Sequence, residues 1–240
     1  MAISRKREKV QEKVGLNPSN NAESGKGKSK MSKNITHGYH LVKGKANHPM
    51  GDYVFPEFKQ VNGSELGLFA IFDGHLSHVI PGYLKANLFN YILNEKLVIA
   101  NVGDSRAVIS KNGVPKQLSV DHEPASERRA LKIEVVLFRT FQVMGDVARV
   151  DGQLVVARAF GDKSLRKHLT SEPDVSIETI DDDTDLIILA SDGLWKVMSN
   201  QEAVDAIKGI KDARSAAKHL TEEAVKRKSK DDISIIVVKF

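Results

Sequence analysis

Short apolar runs recur from about residue 38 onward, at 67–72, 97–102, 107–110, 153–157, 175–180, 186–190 and 233–240. They are rich in Val and Ile and have the length of strands, so they predict β-strands. Asn112-Gly113 and Asp151-Gly152 fall between such runs and predict tight hairpin turns, which favour antiparallel pairing. Helical patterns are fewer. Ser199-Asn200-Gln201-Glu202 has the form of a capping box and predicts a helix to about Ile207. Ala213, Ala216, Ala217, Leu220, Ala224 and Val225 share one face of a second helix, over 213–228. Pro81 predicts the first turn of a third, over 81–93. The pattern is α+β, with helices covering sheets.

Residues 1–36 depart from it. They are rich in Lys, Ser, Asn, Gly and Glu and poor in large apolar side chains, so they predict a disordered basic tail ahead of one domain over 37–240. A short helix over 8–14 is compatible with this stretch. Gly25-Lys26-Gly27-Lys28-Ser29 lacks the spacing and the preceding strand of a phosphate loop. The tail holds nine Lys/Arg against three Asp/Glu, while the other 204 residues hold 27 against 28. The net charge of +5 is therefore a property of the tail and gives no nucleic-acid signal for the folded part. No apolar run is long enough to cross a bilayer, and nothing apolar follows the basic N-terminus as in a secretory signal. Ala2 excludes the myristoylation pattern. Without cysteine there is neither a disulfide nor thiolate-bound zinc. A monomer in the cytoplasm or nucleus is expected.

The candidate chemistry lies where apolar runs end at aspartate: Ile71-Phe72-Asp73-Gly74-His75, Asn101-Val102-Gly103-Asp104-Ser105 and Leu189-Ala190-Ser191-Asp192-Gly193, with Asp231-Asp232 before the last run. A single Asp-Gly after a strand is most often only a turn. Several together point to a hard divalent cation, because carboxylates and carbonyls are the donors that Mg2+ and Mn2+ prefer.

Six segments in order, Asp73-Gly74-His75, Ala100-Asn101-Val102-Gly103-Asp104-Ser105-Arg106-Ala107, Asp121-His122-Glu123-Pro124, Ala157-Arg158-Ala159-Phe160-Gly161-Asp162, Ser191-Asp192-Gly193-Leu194-Trp195 and Asp231-Asp232-Ile233-Ser234, resemble the motifs of the metal-dependent serine/threonine phosphatases of type 2C. The segment from Lys43 to Met50 has the flavour of a plant subfamily. The resemblance implies a β-sandwich of two antiparallel sheets flanked by helices. It implies two Mg2+ or Mn2+ ions in the cleft, held at Asp73, the backbone of Gly74, Asp192 and Asp231, with Asp52 and Asp121 as weaker candidates. Such ions would activate a water for attack on phosphorus, with His75 as the general acid for the departing serine or threonine oxygen. The implied partner is a phosphorylated protein. Asp104 and Asp162 are read as residues that hold turns.

The chain departs from that pattern in five places. Gly51 in Met50-Gly51-Asp52 stands where the family has a ligating Glu; Asn47 stands where many members have a phosphate-binding Arg. Lys196 stands where many have an acidic ligand for a third ion. Only Asn94-Glu95-Lys96 connects segments between which the family has a helix and a strand, so the sandwich is expected to lack both. Glu134-Val135-Val136-Leu137-Phe138 replaces a Gly-Gly turn. These features leave three readings: a phosphatase of weak or absent activity, a pseudophosphatase that binds or regulates on the same scaffold, or a degenerate product without function.

Overall fold

The computed structural model describes residues 22–32, 34–45, 49–61, 63–74, 97–123, 141–144, 147–150, 156–159 and 169–240. Its strands are β1 (Ala22–Lys28), β2 (Thr36–Val42), β3 (Tyr53–Val61), β4 (Ser64–Phe72), β5 (Leu97–Asn101), β6 (Arg106–Lys111), β7 (Val114–Gln117), β8 (Phe141–Met144), β9 (Val147–Val150), β10 (Asp174–Glu178), β11 (Thr184–Ala190) and β12 (Ile233–Lys239). Helices are α1 (Asp192–Trp195), α2 (Asn200–Ile207) and α3 (Ala213–Lys226).

Alternation along the central strands explains the layering. Ile233, Ile235 and Val237 of β12, with Leu186, Ile188 and Ala190 of β11, face one side and pack on α2 and α3 through Val204, Ile207, Ala216, Ala217 and Leu220. Their neighbours Ile236, Val238 and Ile187 turn to the other side, where they meet Val54, Phe69, Ile71, Leu97 and Ile99. A sheet buried on both faces must be apolar at nearly every position, as 233–238 is. The main sheet has the order β1-β2-β12-β11-β6-β7 and is antiparallel throughout. The second layer consists of two separate ladders, β3–β4 and β10–β5, and among the described residues no ladder joins them. The expected α+β sandwich is therefore present.

Local chemistry sets the element ends. Asn112 and Gly113 turn β6 into β7 with φ of 51° and 78°, the positive pair that a two-residue hairpin turn needs. Ser199 and Glu202 form the predicted reciprocal cap of α2. The predicted apolar stripe of α3 is buried from Ala213 to Ala224, whereas Val225 is 45% exposed and lies off that face.

The tail boundary needs correction. Residues 22–28, assigned to a disordered segment by composition, form β1, paired with β2 from Ala22↔Val42 to Lys28↔Thr36. Composition misses it because backbone pairing, not apolar burial, orders this strand. Gly25 and Gly27 also leave room for the rings of Tyr39 and His37, which lie where their Cβ atoms would be. The Glu65 carboxylate then accepts from the Lys30 and Met31 amides and fixes the turn that follows. Residues 1–21, the helix over 81–93, the 94–96 connection, the Asp151-Gly152 turn and the 134–138 departure lie outside the described residues.

Candidate metal centre

Strand ends bring the carboxylates together. Asp73 directly follows β4, Asp104 lies in the turn between β5 and β6, and Asp192 opens α1 just after β11. One ligand oxygen from each lies within 4.8 Å of the others. Asp52 precedes β3, is 2% exposed, and its Oδ2 has no hydrogen-bond partner. An unpartnered carboxylate oxygen at that depth is costly unless something positive or protonated meets it.

The electrostatics follow from crowding. Burial, partly opposed by the nearby Ser234 and Ser191 hydroxyls and reinforced by repulsion from Asp232 and Asp192, pushes Asp52 up to about 7. Burial and then Asp192 push Asp104 up to about 7. Asp192 is raised by burial, partly opposed by Lys196. Asp73 is raised well above the usual carboxylate range by desolvation and then by Asp52, Asp192, Asp104 and Asp231. Its side chain nevertheless keeps solvent contact, so the repulsion is the firmer of its two causes. A donor set that is all oxygen and carries excess negative charge fits a hard divalent cation.

Asp52 and Asp104 hold protons in the folded state that the unfolded chain, with aspartates near 3.9, has already released. Their contribution to stability is complete below about pH 4 and is lost as pH rises through about 7. The melting temperature in EDTA should therefore fall between pH 5 and pH 8, and Mn2+ should recover most of that fall at pH 8. A flat profile would show that the cluster is not crowded.

Hydrogen bonds tie the segments around the cluster together. Asp232, for which the sequence alone suggests no role, is buried and accepts from the amides of Gly44 and Gly51, both at 2.7 Å. It thereby ties the segment between β2 and β3 to the start of β12. The Gly74 carbonyl packs directly on Gly51, where a Cβ would lie 1.8 Å from that oxygen. His122 is 1% exposed; its Nδ1 accepts from the Gly103 amide and its Nε2 pairs with Asp174 at 2.7 Å. It thus anchors the turn that carries Asp104, and Gly103 takes the φ of 107° that this turn requires.

The candidates fare differently. Asp73 and Asp192 are brought together, and they are joined by Asp104, expected from the sequence only to hold a turn. Its signal was the shared pattern of an aspartate following a strand. Asp231 lies beyond Lys196, whose ammonium bonds it at 3.1 Å and also pairs with Asp192. Burial alone would lower Lys196, but its bonds to Asp192 and Asp231 outweigh this and raise it. Asp121 is engaged elsewhere: its oxygens accept from Arg106 and Gln117, and Arg106 lies 5.1 Å over the Trp195 ring. His75, Asn47 and Asp162 lie outside the described residues. No helix among the described residues is long and apolar enough to cross a membrane.

The fold is that of type 2C phosphatases. It superposes on a serine-threonine phosphatase 2C from Toxoplasma gondii with a TM-score of 0.72 at 18% identity, over 91% of this chain and 99% of that one. A C. elegans sex determining protein aligns with a TM-score of 0.71 at 19% identity, over 85% of this chain and 64% of that one. The sequence profile described as Protein phosphatase 2C matches residues 85–233. Probable protein phosphatase 2C 39 of Arabidopsis thaliana is 57% identical, over 99% of this chain and 98% of its own length. Probable protein phosphatase 2C 62 of Oryza sativa subsp. japonica is 54% identical, over 92% and 93%. The chain belongs to the protein phosphatase 2C family. The Arabidopsis alignment runs over 284 positions, more than the 240 residues of this chain, so that relative carries several tens of residues which this chain lacks.

Proposed function

We propose that the carboxylate cluster is the metal centre of a protein phosphoserine/phosphothreonine phosphatase that holds its ions weakly. The observation that carries this is the grouping of the Asp73, Asp104 and Asp192 oxygens within 4.8 Å, beside the buried Asp52 carboxylate. Asp73, Asp192 and Asp231 would hold Mg2+ or Mn2+, with Asp104 and Asp52 adding negative charge. A bound pair of such ions supplies an activated water and neutralises charge on the phosphoryl group. The chain's own residues do the rest. Asp232 and His122 fix the segments that carry the ligands, and the family resemblance gives His75 the role of general acid.

Gly51 weakens the centre in two ways. It offers no carboxylate, and it lets the Gly74 carbonyl, itself a candidate ligand, seat against the backbone. These same facts favour a second reading, a pseudophosphatase that presents the family surface without turnover. Hydrolysis of a phosphothreonine peptide with Mn2+ separates the two. Turnover should lie well below the order of 1 per second, depend on Mn2+ and be abolished by Asp192→Ala. No Mn2+-dependent hydrolysis at all supports the second reading. Turnover at or above that rate overturns the impaired centre.

A further inference from the structure

Lys196 follows α1 and stands four residues after Asp192, so the two side chains share one face of the turn. Its ammonium pairs with Asp192 and reaches Asp231 at 3.1 Å, although these carboxylates come from different segments, one after β11 and one before β12. The lysine side chain is 53% exposed and could extend into solvent. It folds back because two carboxylates are there to receive it, one of them shared with the Asp73–Asp104 group.

We propose that Lys196 is a resident counter-cation of the cleft, holding Asp192 and Asp231 together until a divalent ion displaces it. The inference rests on the reading of those two aspartates as ligands. Loading the centre is then an exchange: the ammonium must leave both carboxylates before an ion can take them, and a positive charge remains nearby on its tether. The ammonium steadies the metal-free cleft and lowers its affinity for the ion. Lys196 thus sets the ion concentration at which the centre fills, without itself touching the substrate.

Two substitutions test this. Lys196→Met keeps the length of the side chain and removes the charge; Lys196→Arg keeps the charge. Calorimetric titration with Mn2+ should show Lys196→Met binding at least about tenfold more tightly than the native chain, with Lys196→Arg near the native value. In EDTA at pH 8, Lys196→Met should melt lower than the native chain, and adding Asp192→Asn should restore the loss. An unchanged or weaker Mn2+ affinity in Lys196→Met overturns the exchange. If no form binds Mn2+, the ligand reading and the exchange both fail. The melting comparison then shows whether the ammonium still clamps the carboxylates, since a clamp requires the drop and its rescue.

Discussion

Gly51→Glu should destabilise the metal-free protein, even though it restores a carboxylate at the family's ligand position. The new Cβ would lie 1.8 Å from the Gly74 carbonyl oxygen, a backbone atom that cannot rotate away. Asp232 also holds the Gly51 amide, so relieving the overlap requires the backbone at Gly51 or Gly74 to move. Overpacking of this kind costs about 1–3 kcal/mol, which lowers the melting temperature by several degrees in a chain of this size. The added carboxylate also joins a cluster that already repels itself. Gly51→Ala should suffer the overlap alone. With Mn2+ the two should part: Gly51→Glu gains more than the native chain, because the displaced carbonyl and the new carboxylate can both reach an ion, and Gly51→Ala gains no more than the native chain. Native-like melting of both variants in EDTA would show that the contact is not tight. Equal gains from Mn2+ would show that a carboxylate at this position does not bind.

Asp73→Asn should act with opposite signs on stability and on binding. The Asp73 carboxylate is opposed by Asp52, Asp192, Asp104 and Asp231. Removing its charge relieves that repulsion, so the metal-free protein should melt higher at pH 8, with a smaller gain at pH 5, where Asp52 and Asp104, both pushed up to about 7, carry protons. The same change removes a ligand, and Mn2+ affinity should fall by about 100-fold or more. A purely structural aspartate would instead lose stability at both pH values and leave Mn2+ binding unchanged.

Much of this was legible in the sequence, for physical reasons that differ from element to element. Strands β6, β11 and β12 announce themselves because burial on one or both faces forces Val and Ile into the run. The cap of α2 is a local bond between residues three apart and needs no tertiary context. β1 was hidden because its order comes from a partner strand and from aromatic rings lying over glycines, neither of which alters its own polar composition. The aspartates at strand ends were readable as a set, but periodicity could not show that the Asp104 oxygen reaches the others while Asp121 is taken by Arg106. Lys196 illustrates the limit most clearly. Its charge alone suggests repulsion of a cation, and only the fold shows it occupying two of the candidate ligands. Gly51 was visible as a missing ligand, whereas the carbonyl filling its place belongs to a segment more than twenty residues away.

Whether the cluster is a weakened divalent-cation centre is decided by calorimetric titration of the unaltered chain with Mn2+ at pH 8, beside Gly51→Glu and Asp73→Asn. Binding should be saturable but weak in the native chain, tighter in Gly51→Glu, and not measurable in Asp73→Asn. Native binding as tight as that of Gly51→Glu, or unchanged in Asp73→Asn, would contradict that reading of the cluster.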